Sequence, residues 1–164
     1  MRFWITTDLH LGHKKIIEYG RPEDFEEKIF KSHSRLTEKD VLICLGDVSL
    51  GQNEEMHAKY IQPLACKKWL VKGNHDSKSN NWYLRHGWDF VCRNFKDIYY
   101  GKKILFSHIP QVDDGWYDLN IHGHLHDDDH RIDEIQTNEK QMLLALEHTN
   151  YQPVSLEHFI NLYN

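Results

Sequence analysis

Five times in this chain an apolar run stops at a small residue and gives way at once to aspartate, asparagine or histidine. The five segments are Thr7-Asp8-Leu9-His10, Gly46-Asp47, Gly73-Asn74-His75-Asp76, Ser107-His108 and Gly123-His124-Leu125-His126. Two of the preceding runs, Val41 to Leu45 and Trp69 to Val71, show no polar alternation. That pattern suits strands buried on both faces, as in a sheet covered by helices. In open α/β sheets, ligands bind beyond the carboxyl ends of the strands. Five such ends on one edge would gather Asp8, His10, Asp47, Asn74, His108, His124 and His126 around one crevice.

The segments between these tips alternate in kind. Residues 24–36 carry Phe25, Ile29 and Leu36 on one helical face, and residues 54–65 place Met56, Tyr60 and Leu64 four apart. Residues 78–86 read as a third, weaker helix. From Asp89 the rhythm turns to short strands: Phe90 to Cys92, Asp97 to Tyr100, Lys103 to Phe106, Leu119 to His122 and Met142 to Leu146. Gly101-Lys102 fits a two-residue hairpin turn. Ser155 is placed to cap a last helix with the stripe Leu156, Phe159, Ile160 and Tyr163. The expectation is an α/β sandwich in a single domain over 1–164, with parallel strands early and antiparallel strands later.

With 13 histidines in 164 residues, chance alone supplies about one His-x-His, so His124 and His126 mean little by themselves. The ordered set means more. Seven ligand-capable side chains exceed the need of one divalent ion. With one carboxylate shared, they suit two ions about 3.5–4 Å apart. His33, His57, His86, His130 and His158 read as surface residues, and His122 as facing away from His124. The net charge of −5 disfavours nucleic acid or anionic membrane as a general partner. No apolar run approaches the ~20 residues of a membrane span, and Arg2-Phe3-Trp4-Ile5 has no signal-peptide layout. Cys44, Cys66 and Cys92 are scattered and odd in number, which points to reduced thiols and a cytoplasmic setting.

The order Asp-x-His, Gly-Asp, Gly-Asn-His-Asp, His, Gly-His-x-His, from Asp8 to His126, resembles that of the calcineurin-like metallophosphoesterases. The resemblance implies a four-layer α/β/β/α sandwich with two mixed β-sheets. It implies two divalent cations, manganese first, with iron, zinc or nickel as alternatives. One would be held by Asp8, His10, Asp47 and His126. The other would be held by Asp47 as a bridge, Asn74, His108 and His124. His75 would face the phosphate and the leaving group, with Asp76 holding its ring. Ser107 stands where many members have glycine, which removes no ligand. Leu11-Gly12-His13, Gly20-Arg21-Pro22 and Asn150-Tyr151-Gln152-Pro153-Val154-Ser155-Leu156 are similar to a branch of small bacterial and phage phosphoesterases. In that setting His13 and Arg21 are candidate contacts to substrate phosphate, Arg21 as a two-pronged donor.

The function expected from these features is hydrolysis of a phosphate ester, with a phosphodiester favoured over a monoester. A hydroxide bridging the cations would attack, and His75 would assist the leaving group. The partner is then a small phosphate ester, with nucleic acid only as substrate and no membrane. The competing expectations are a nuclease and a silent binding scaffold of the same fold.

Overall fold

The computed structural model describes residues 1–126 and 138–162. Among the described residues, nine short strands form two sheets. In the first, β1 (Arg2–Thr6), β2 (Asp40–Cys44), β3 (Lys67–Val71) and β4 (Phe90–Cys92) run parallel, in spatial order β4-β3-β2-β1. The second contains β5 (Asn94–Tyr99), β6 (Lys102–Ser107), β7 (Leu119–His122) and β8 (Gln141–Leu143), side by side in that order. The last strand, β9 (Val154–Ser155), returns to the first sheet and pairs antiparallel with β1, Trp4 against Ser155 and Ile5 against Val154.

Both sheets are mixed, and the second is less antiparallel than its short strands suggest. Only β5 and β6 form an antiparallel hairpin; β6, β7 and β8 run parallel. The reason is the connection: β6 reaches β7 through residues 108–118, long enough for a crossover that a tight turn cannot make. The hairpin turn sits one residue earlier than expected, at Tyr100-Gly101, because Tyr99 pairs with Lys102. Tyr100 and Gly101 take φ of 51° and 77°. Such a turn needs positive φ at both central positions, and glycine supplies the second without strain.

The space between the sheets is filled by Ile5, Val41, Ile43 and Val71 from one side and Ile104, Phe106, Ile121 and Met142 from the other. The opposite face of the first sheet presents Cys44 and Leu70 to the helices. These helices are α1 (Phe25–His33), α2 (Asn53–Met56), which runs on as a π turn over His57–Ile61, and α3 (Asn80–Arg85). They contribute Phe25, Ile29, Met56, Tyr60 and Tyr83 to this second core. Every residue of β2 is buried, as an unalternated apolar run requires. The last helix, α4 (Leu156–Asn161), starts where Ser155 Oγ accepts from His158 N, and buries Leu156, Phe159 and Ile160 against the inter-sheet core. The β6–β7 connection contains the segment 109–118, which carries no helix. The segment is tied down by buried Asn120, whose side chain donates to Leu105 O and accepts from Gln111 N.

Two histidines expected at the surface are inside. His33 Nδ1 bonds Ile29 O at 2.7 Å and its Nε2 meets Thr6 Oγ1 at 3.1 Å. His57 Nδ1 bonds Asn53 O at 2.8 Å, and its ring sits among Trp82, Tyr83 and Trp88. Each has a polar partner on its own helix, and His33 is bonded at both nitrogens, whereas His57 Nε2 is buried without a hydrogen-bond partner. The three cysteines are free, with Cys44 and Cys66 buried. Among the described residues no helix is long and apolar enough to cross a membrane. The acidic run Asp127 to Asp129, His130 and Tyr163 lie outside the described residues.

Candidate metal centre

All five strand ends meet at one edge of the sandwich, and backbone hydrogen bonds sew them together. Asp8 N donates to Gly46 O and His10 N to Asp47 O, each at 2.9 Å, which extends the β1–β2 pairing into the two loops. The second sheet joins them through side chains. Asp8 Oδ2 accepts from His124 N at 2.9 Å, and His108 Nδ1 donates to Leu45 O at 2.7 Å. The loops pack so closely that a Cβ on Gly73 would overlap the Asp47 carboxylate and backbone nitrogen. One on Gly123 would overlap the side chains of Thr7 and Asp8. Gly73 is thus needed for close approach.

Asp8, His10, Asp47, His124 and His126 all take left-handed backbone φ, between 48° and 71°. Aspartate and histidine tolerate this region better than most residues, but each position still costs free energy. The gain is direction, since the reversed backbone turns each side chain back over the strand ends.

Two clusters of donor atoms result. The first is Asp8, His10 and His126: His10 Nε2 lies 3.2 Å from His126 Nε2, and Asp8 Oδ1 lies 3.8 and 3.6 Å from these two nitrogens. The second is Asp47, His108 and His124, with His108 Nε2 3.3 Å from Asp47 Oδ2 and 3.2 Å from His124 Nδ1. Asn74 Oδ1 joins it, 2.9 Å from His108 Nε2. Asp47 belongs to both, because its Oδ2 is also 3.8 Å from His10 Nε2. His108 donates from Nδ1 to the Leu45 carbonyl, and although burial opposes its charge, the bond to Asp47 pushes its pKa up to about 9; a cation bound at Nε2 would take the place of that nitrogen's proton.

The electrostatics fit cations. Burial opposes the charge on Asp8, yet the surrounding imidazoles hold its carboxyl well below the usual carboxylate range. Burial likewise opposes ionisation of Asp47, and the His108 bond outweighs it. Burial pushes His10 down, toward the neutral ring that a metal requires. Asp8 Oδ1 is buried and has no hydrogen-bond partner. A buried ionised oxygen without a donor is costly unless a cation satisfies it. The mixed imidazole, carboxylate and amide donors, in two adjoining groups, therefore suit a pair of divalent transition ions.

His75 stands beside both groups. Its side chain is 40% exposed, and its Nε2 lies 3.9 Å from Asp47 Oδ2. Its ring is 5.6 Å from that of His10, and the His13 ring lies at the same distance from His10 on the half-buried rim.

Two residues behave otherwise than their sequence positions suggest. Asp76 does not hold the His75 ring. It is buried, and its carboxylate accepts from the backbone N–H groups of Asp47, Gly73 and Val48 at 2.8, 2.8 and 3.1 Å. Its role is to clamp the second and third loops together, because buried amides claim its oxygens before an exposed ring can. Arg21 does not reach a substrate either. It is 3% exposed and lies behind the first donor group. Its Nη1 and Nη2 donate to Leu9 O and Asp8 O, and Nε donates to Glu147 Oε1 at 2.8 Å. The rings of Phe25 and Tyr151 flank its guanidinium at 5.4 and 5.7 Å.

Glu147 was not foreseen from the sequence. Burial opposes its charge, but the contact with His126 and the charge of Arg21 bring its pKa down to about 2. The available signal was indirect: an arginine in an apolar setting needs a carboxylate, and Glu147 precedes the same Tyr151 segment that pairs in motif with Gly20-Arg21-Pro22.

Comparison with known proteins agrees with this geometry. Residues 1–159 match the family described as calcineurin-like phosphoesterase. An uncharacterised protein of Methanocaldococcus jannaschii, MJ1445, is 28% identical over 177 residues, covering 98% of this chain and 90% of its own length. The solved structure of AQ665 from Aquifex aeolicus, a protein of unknown function, is 25% identical, with TM-score 0.77 over 98% of both chains. An archaeal phosphodiesterase shares the fold at 18% identity, with TM-score 0.50 over 88% of this chain and 82% of its own.

Proposed function

Because the chain belongs to the calcineurin-like phosphoesterase family, we propose that it hydrolyses a phosphate ester at the edge where the strand ends meet. The observation that carries this reading is the shared position of Asp47 between two donor groups, with a solvent-accessible histidine beside it. Asp8, His10, Asp47 and His126 would hold one divalent cation. Asp47, Asn74, His108 and His124 would hold the other. When bound, such a pair neutralises phosphoryl oxygens and brings the pKa of water from ~15.7 toward ~7.

The chain's own residues do the rest. Asp47 N and Gly73 N are committed to Asp76, and the Asp47 carboxylate accepts from His75 N at 2.9 Å, so the histidine is pinned to the bridging residue. His75 is placed to give a proton from its ring to the departing oxygen of the ester. His13, on the rim, is a candidate to meet a non-bridging phosphate oxygen. The buried thiol of Cys44, whose pKa burial pushes up, is no nucleophile.

Arg21 bears on the substrate class. Its guanidinium is committed to Glu147 and two loop carbonyls, so it cannot take the second charge of a phosphomonoester. That supports a phosphodiester as the preferred substrate. The test is a panel of bis-p-nitrophenyl phosphate, p-nitrophenyl phosphate, cyclic nucleotides and single-stranded DNA. The protein is first stripped of metal, then reloaded with manganese, iron, zinc or nickel. Faster turnover of the diester than the monoester is expected. The reverse order refutes the diester reading, and silence across the panel with bound cations favours a binding scaffold.

A further inference from the structure

The ring of His126 has a different neighbour at each nitrogen. Its Nε2 faces the first donor group, 3.2 Å from His10 Nε2 and 3.6 Å from Asp8 Oδ1. Its Nδ1 faces outward to two groups at once, Glu147 Oε1 and Arg21 Nη2, each at 3.4 Å. One of these can only accept a hydrogen bond and the other can only donate one, so together they decide which nitrogen of the ring carries the proton. Arg21 spends its short bonds elsewhere: Nη2 donates to Asp8 O at 2.7 Å, Nη1 to Leu9 O at 3.0 Å and Nε to Glu147 Oε1 at 2.8 Å, so its 3.4 Å contact with His126 Nδ1 is the longest it makes. A ring N–H facing the Glu147 carboxylate outweighs that contact, which makes His126 Nδ1 the donor to Glu147 and leaves Nε2 as the lone pair.

We propose that Glu147 is a positioning residue for the metal centre: held by Arg21, it accepts the Nδ1 proton of His126 and so aims the Nε2 lone pair at the site of Asp8 and His10. Arg21 completes the device by gripping the carbonyls of Asp8 and Leu9, which lock the loop that carries the other two donors. A single arginine thereby registers all three side chains of the first donor group. The second group needs no such carboxylate, since a backbone carbonyl, Leu45 O, performs the same service for His108. Carboxylates behind metal-bound histidines set the tautomer and the ring orientation, and losing one costs about 10–100-fold in metal affinity. The inference rests on the phosphoesterase reading for its cation, but not for its tautomer.

Two measurements on the full-length protein test it. In the metal-free protein, long-range proton–nitrogen NMR should show His126 protonated on Nδ1, and Glu147→Gln should populate the Nε2–H form. In cation titrations followed by calorimetry, Glu147→Gln should lower manganese affinity about 10–100-fold at one site and leave the other unchanged. The same substitution made on a His126→Ala background should have no further effect at either site. That cycle separates action through His126 from a general weakening of the fold, which would persist in both backgrounds. A wild-type His126 protonated on Nε2 overturns the proposal, and so does an affinity loss of equal size on the His126→Ala background. Should the wild-type protein show the Nδ1–H ring yet bind no cation, the phosphoesterase reading fails while the clamp stands.

Discussion

Single residues divide at this site into those that face the two candidate cation positions and those that hold the facing residues in place. His75 is of neither kind, since it meets Asp47 and the edge of the His10 ring yet remains open to solvent. Replacing it with alanine should leave cation content unchanged, as measured by elemental analysis, while kcat falls roughly 10²–10⁴-fold. Unaltered turnover would remove it from the chemistry. The clustering of these side chains was legible because its signal is local: each follows a strand directly, so the spacing of Asp8, Asp47, Asn74, His108 and His124 from an apolar run was enough. Arg21, Asp76 and Glu147 were not legible in that way. Each has a partner far along the chain, 29 residues away for Asp76 with Asp47 and 126 for Arg21 with Glu147, and nothing in the neighbouring sequence tells a buried brace from an exposed contact.

At the level of elements, the strands only bring the loops to a common edge, and the loops are then joined to one another. Asp76 shows what that joining is worth. In Asp76→Asn, an amide N–H₂ would point at a backbone N–H of Asp47, Gly73 or Val48, leaving buried donors face to face. A loss of roughly 2–3 kcal/mol in urea denaturation is expected, with weaker cation retention. If Asp76 instead oriented His75, stability would hold and only turnover would drop. The order of strands and helices was readable from periodicity, and the bounds differ little: α1 covers Phe25–His33 and α3 Asn80–Arg85. The parallel run β6-β7-β8 was not readable. Short strands of mixed polarity look alike whichever way the chain returns, and direction is decided by the crossover, not by the strand.

For the molecule as a whole, buried histidines set the acid limit of stability. Burial brings His33 and His57 down to about 4 in the folded chain, against 6.5 when exposed. As pH falls below 6.5 the unfolded chain binds these protons first. Their contribution is therefore complete above pH 6.5 and is lost progressively down to about pH 4, up to about 3 kcal/mol for each. Urea midpoints should drop between pH 7.5 and pH 4.5, and His33→Gln should flatten that slope; a flat wild-type profile would contradict it. Paired carboxylates such as Asp40, which burial opposes but Arg2 and Thr37 hold low, respond only at still lower pH. The chain also closes on itself late. β1 completes its pairing only with β9, and the Arg21 grip on the first donor loop requires Glu147. On a translating ribosome, then, β1 and the first donor loop wait for Glu147 and β9 to emerge, and the nascent chain has no finished cage around the candidate cation sites until both are out.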